Sequence, residues 1–135
     1  MNRELFMLRL LHAFDHYLFF DALIPEIMDC LSKSGKEESF LNLLVKRLYQ
    51  LSALGFRACD LLEEFENLGG GLYSMHLAQK EYNIRILYAF LQNGQPVLLL
   101  SFYERAGKKR TDYTPYLPPA LDRFKRMKEV YERGQ

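Results

Sequence analysis

The hydrophobic period of this chain changes once, at Gly69-Gly70-Gly71. Before the glycines, apolar residues recur at helical spacing; after them, they alternate. Side chains return to one face every 3.6 residues in a helix and every two in a strand, so the two halves form different elements. Helices followed by strands within 135 residues predict an α+β domain in which helices cover a sheet. A chain of this length buries roughly two-thirds of its unfolded surface, so residues 1–135 are read as one domain. With 49% apolar and 26% charged residues, a disordered chain is excluded.

The first half divides into two helical stripes. Tyr17, Leu18, Phe20, Leu23, Ile24, Ile27, Met28 and Leu31 predict an amphipathic helix over 15–31, kinked or restarted at Pro25. Ser32 to Lys36 reads as a turn. Phe40, Leu41, Leu43, Leu44, Leu48, Leu51 and Leu54 predict a second helix closed by Gly55, with Lys46, Arg47 and Gln50 off its stripe. Leu5 to Phe14 fits either a strand or a helix start.

Beyond the glycines, which read as a flexible break, 72–79, 84–91 and 96–103 predict three antiparallel strands. Asn93-Gly94 between the last two is a strong hairpin signal. The apolar sets Tyr73, Met75, Leu77 and Ile84, Ile86, Tyr88, Phe90 must face one way, which pairs Met75 with Ile86. That register sets His76 opposite Arg85 on the other face, with Arg85 near Phe102. This second face then carries Ser74, His76, Arg85 and Glu104 beside Leu87, Leu98, Leu100 and Phe102. A cover is needed for its apolar part. Pro118-Pro119 followed by Leu121, Phe124, Met127 and Tyr131 predicts a C-terminal helix in that role, its stripe surrounded by Arg123, Lys125, Arg126 and Lys128.

Net charge is +1, but it is unevenly spread. Residues 1–68 hold 7 Lys/Arg against 11 Asp/Glu, and residues 103–135 hold 9 against 5. A basic last third suits an anionic partner, nucleic acid or an acidic protein, or a solvated helical face. No apolar run approaches the ~18–20 residues of a membrane helix, so a cytoplasmic protein is expected. Cys30 and Cys59 fit a reducing compartment. Neither has a Cys or His at zinc spacing, so no metal is expected. Nucleotide-binding glycine motifs are absent too, and no small-molecule cofactor is expected.

The stretches Gly71-Leu72-Tyr73, Asn83-Ile84-Arg85-Ile86-Leu87-Tyr88 and Leu98-Leu99-Leu100-Ser101-Phe102, then a Lys/Arg cluster ending in Thr114-Pro115 and a basic helix, resemble the RelE/ParE superfamily of type II toxins. The similarity covers residues 40–131 and lies nearest the HigB-like, phage-derived branch. The E-L-R of that branch is replaced here by Ser74-Met75-His76, and its K-K-T-x-K-T-P is stretched to residues 105–115. The resemblance implies helices packed on a twisted antiparallel sheet and ribosome-dependent cleavage of mRNA. It implies a cognate antitoxin protein as partner, with the ribosome and mRNA as targets. A ParE-like gyrase poison and a non-catalytic binding module share the fold and remain alternatives.

Cleavage of RNA through its own 2′-hydroxyl needs a base, an acid, cations on the phosphorane and in-line positioning. Arg85 is the leading candidate, because its planar fork suits a phosphate and it matches the arginine of the family strand; otherwise it pairs with Glu104 or an antitoxin carboxylate. His76 suits acid or base work, as a histidine side chain can do either near neutral pH, or is an idle strand histidine. Glu104 is read as a base or as the group that orients Arg85. Tyr113 is read as a stacking or acid/base group. Lys80, in the first strand-to-strand loop, and Arg105, Lys108, Lys109 and Arg110 are candidate contacts to RNA or the ribosome, or solvated loop charges. Tyr103 is expected to pack on the core face. His12 and His16 are assigned no role.

Overall fold

The computed structural model describes residues 2–32, 34–104 and 111–132. Helix α1 (Arg3–Ala13) opens on an Asn2 cap, whose side chain accepts from the Leu5 amide. The ambiguous Leu5–Phe14 stretch is therefore helical. The expected helix over 15–31 is split instead. Leu18–Phe19 forms a short strand β1, and only Leu23–Cys30 is helical (α2). Pro25 is the third residue of α2, inside the first turn where no intrahelical amide bond is lost, so it neither kinks nor breaks the helix. Helix α3 (Glu37–Leu54) ends as expected at Gly55, whose φ of +55° suits glycine. A 3₁₀ turn (Gly55–Arg57) and a single helical turn α4 (Ala58–Leu61) follow.

The strands are β2 (Phe65–Gly69), β3 (Leu72–Gln79), β4 (Tyr82–Phe90) and β5 (Pro96–Tyr103). They join β1 in one five-stranded sheet of order β1-β5-β4-β3-β2. Two features differ from expectation. The triple glycine is a tight hairpin turn between β2 and β3, all three residues at positive φ, and not a linker between two halves. The sheet is mixed, because β1 runs parallel to β5. The β3–β4 register matches the one derived from alternation, Met75 on Ile86 and His76 on Arg85. Arg85 pairs with Phe102.

Both faces of the sheet are covered. Met75, Leu77, Ile84, Ile86 and Tyr88 meet α1–α3, where Phe6, Leu10, Phe40, Leu44 and Leu48 are fully buried. Leu72, Leu87, Ala89, Val97, Leu99 and Leu100 form the second core, capped by Ala120 and Met127 of helix α5 (Leu117–Tyr131). Leu98 belongs to the first core and not the second. A register shift between Leu87 and Tyr88 admits one extra residue in β5, which inverts the faces beyond it. Among the described residues, no helix is long and apolar enough to cross a membrane.

Arg123 is not one of a solvated ring of charges. It forms a bidentate pair with Glu26 of α2, at 2.8 and 2.7 Å, and also donates to the Leu99 carbonyl at 2.9 Å. Glu26 in turn accepts from the Ser101 amide. β1 ends opposite Leu98, so these two side chains satisfy the β5 backbone where no further strand does. Removing one partner of a largely buried pair leaves the other uncompensated. Arg123→Ala is expected to destabilise the fold by about 2–4 kcal/mol in urea unfolding. A loss no larger than that of an exposed pair such as Arg126–Asp122 contradicts this account.

Candidate functional site

The polar end of the second face gathers three of the residues singled out from the sequence. Arg85 on β4 donates from Nε to Glu104 Oε2 at 2.8 Å. His76 on β3 places Nε2 3.5 Å from the same oxygen. Thr111 donates its hydroxyl to the other carboxylate oxygen. Glu104 directly follows β5, and its amide donates to the Asn83 carbonyl, which carries the β4–β5 pairing one residue further and puts its side chain on the same face as Arg85. The Arg85 and Glu104 side chains are 15% and 12% exposed, so their attraction is only weakly screened.

Burial opposes ionisation of Glu104, but the Thr111 hydroxyl, the Arg85 guanidinium and His76 outweigh it and hold the carboxyl below its ordinary range. A carboxylate so stabilised is a poor proton acceptor at neutral pH. Of the two roles read from the sequence, Glu104 therefore suits orientation of Arg85 and His76 better than general base. It uses only the Nε–H of Arg85; among the described residues, the terminal NH₂ groups of the guanidinium have no hydrogen-bond partner.

His76 is held from every side. Its amide donates to the Glu64 carbonyl, and its carbonyl accepts from Arg47 Nε at 3.0 Å. Its Nε2 faces two acceptors, Asn83 Oδ1 at 2.5 Å and Glu104. Two acceptors assign the proton to Nε2, which leaves Nδ1 as the basic nitrogen of the neutral ring. Arg47 is the residue that the sequence reading missed. It was placed off the α3 stripe, yet it is buried, with its second described bond to Gln50. The available signal was its position three residues after Leu44 and four before Leu51, on the buried side of the helix.

Tyr113 arches over the cluster from the far side. Its hydroxyl donates to Glu66 Oε2 at 2.8 Å and shares a hydrogen bond with Ser74 Oγ at 3.0 Å. Its ring lies 5.9 Å from the Arg85 guanidinium carbon. Burial pushes its phenol up to about 12, so it is a weak acid and serves best as a strap that closes one side of Arg85.

Other expected site residues are not gathered here. Lys80 is exposed in the β3–β4 turn, four residues beyond His76 or ~13 Å along the strand. Tyr103 does not pack on the core; it is 48% exposed at the end of β5. Arg105, Lys108, Lys109 and Arg110 lie outside the described residues. No protein-family model matches this chain, and no curated protein matches it.

The lowered acidity range of Glu104 has a signed consequence for stability. Its contribution is present in full above the unfolded carboxyl value and is lost as pH falls through the folded one. The stability gap between wild type and Glu104→Gln is therefore expected to be largest at neutral pH and to shrink below about pH 4. Urea unfolding of both proteins at pH 7 and pH 3 measures it; a gap that widens in acid contradicts the assignment.

Proposed function

We propose that this protein is the toxin of a type II toxin–antitoxin pair and cuts mRNA on the ribosome, in the manner of the RelE/HigB toxins. It acts in the cytoplasm, and a cognate antitoxin protein restrains it. The observation that carries the reading is the shared carboxylate. Glu104 holds a titratable imidazole and a guanidinium side by side on one sheet face, immediately before the basic segment that starts at Arg105.

The chemistry follows from the donors and acceptors present. His76 Nδ1 takes the proton of a ribose 2′-hydroxyl, and the freed oxygen attacks the adjacent phosphorus. The bond to the 5′-oxygen breaks as that oxygen takes a proton from solvent water, leaving a 2′,3′-cyclic phosphate and a 5′-hydroxyl, and the imidazolium then returns its proton to solvent. Arg85 turns its terminal NH₂ groups toward the phosphate oxygens and stabilises the charge that builds on them. Glu104 keeps both groups in place. In-line geometry of the message comes from the ribosome. Arg105, Lys108, Lys109 and Arg110, with Lys80, supply salt-sensitive contacts to RNA.

A second reading has one observation in its favour. Arg85 already carries a carboxylate, and that carboxylate is already held by Thr111, an arrangement that also suits a structural strut in a binding module. Induced expression separates the two. Wild type is expected to arrest growth with new 5′ ends inside translated messages. His76→Ala and Arg85→Ala are each expected to slow cutting 10²–10⁴-fold, the usual worth of a general base or an electrostatic clamp. Arrest without cuts moves the reading to a gyrase poison, and unimpeded growth moves it to the binding module.

A further inference from the structure

Helix α1 is apolar on two sides. Phe6 and Leu10 are buried in the core that α1 shares with α2 and α3. On the outer side Leu5, Leu8 and Leu11 are 47%, 64% and 40% exposed. A helix that packs by one face normally carries polar residues on the other, and a single exposed leucine is ordinary. Here three leucines stand three residues apart, so they form one stripe. The stripe runs on into a groove of about 360 Å³ whose lining includes Met7, Leu11, Phe19, Phe20 and Ile24. A contiguous apolar patch of this kind marks a contact surface.

The order of residues on that face restricts what covers it. Along the axis, Leu5 and Leu11 stand three residues either side of Leu8, and Glu4 and His12 stand four. Around the axis, Leu5 and Leu11 lie about 60° either side of Leu8, and Glu4 and His12 about 40° either side. The face is therefore self-complementary about Leu8. A two-fold axis there lays α1 antiparallel on a second α1, as an isologous contact requires. Leu5 then stands level with the partner's Leu11, and Glu4 level with the partner's His12, a carboxylate acceptor beside an imidazole N–H. Among the described residues neither Glu4 nor His12 has an ion-pair partner, whereas the neighbouring Arg9 is already paired with Glu38 at 3.5 Å.

We propose that a second copy of this chain covers the outer face of α1, in a two-fold dimer centred on Leu8. Helix α1 packs on the sheet face opposite the side chains of His76 and Arg85, so the dimer leaves that cluster open and is independent of the nuclease reading.

Sedimentation equilibrium of the full chain over a range of concentrations tests it. Wild type is expected to dimerise. Leu8→Glu sets two carboxylates face to face at the axis and is expected to raise Kd about 100-fold or more. His12→Glu opposes Glu4, and Glu4→Lys opposes His12, in both symmetry-related contacts, so each alone is expected to raise Kd about tenfold. The double variant Glu4→Lys/His12→Glu restores an opposite-charge pair and is expected to return to within about threefold of wild type. Both changes oppose the helix macrodipole, so that recovery does not come from a better helix. Leu8 lies outside the core, and urea unfolding at a concentration where wild type is also monomeric checks that Leu8→Glu still folds. A chain that stays monomeric up to ~1 mM overturns the dimer and leaves the stripe to a different protein. A dimer that Leu8→Glu leaves intact overturns it too, as do charge changes at Glu4 and His12 whose effects add instead of cancelling.

Discussion

The candidate site depends on one register. Strands β3 and β4 pair Met75 with Ile86, and His76 with Arg85. A slip of one residue would turn the imidazole and the guanidinium into the core beneath α3 and expose Met75 and Ile86. Burial of Met75, Leu77, Ile84 and Ile86, each fully enclosed, fixes that choice. Each such side chain is worth roughly 1.5–3 kcal/mol when buried. The polar pair on the opposite face is therefore positioned by apolar packing that it does not itself take part in.

What that face carries is decided by how far α5 reaches. Ala120 and Met127 cover the apolar part around Leu87, Ala89 and Leu100. At the other end, Phe102, Tyr113 and Tyr116 form a partial aromatic roof over Arg85. Between the two, polar groups bond to one another instead of to solvent. The bulge in β5 contributes as well. It places both Leu99 and Leu100 in the second core, and the Glu26–Arg123 pair satisfies the backbone at Leu99 and Ser101. Arg47 acts from the opposite layer by gripping the His76 carbonyl, so α3 and β4 set the imidazole jointly.

Much of this was legible in local pattern. Alternation in 72–79 and 84–90 was strict enough to place strands, faces and register, and with them the His76–Arg85 pair. The Glu104–Arg85 contact was anticipated as one of two roles for Arg85. Features that depend on tertiary context were not legible. β1 is two residues long and exists only because β5 offers an edge. β2 has a polar, exposed stretch, Glu66-Asn67, that hides its strand character. The bulge gives no local signal, so alternation alone misassigned Leu98; Tyr103 shares the face of its partner Ile84 but ends β5, where it is left exposed. Arg47 was read as lying off the apolar stripe of its helix and Arg123 as part of the basic surround of another, although each satisfies a strand carbonyl.

The central claim is that His76 and Arg85 drive attack by the 2′-hydroxyl of RNA. The most direct measurement is the chemistry of the ends left on messages from cells in which the protein is induced. The account predicts 5′-hydroxyl ends that resist ligation until phosphorylated, opposite 2′,3′-cyclic phosphates. Ends that carry a 5′-phosphate, or messages left whole while growth stops, would contradict it.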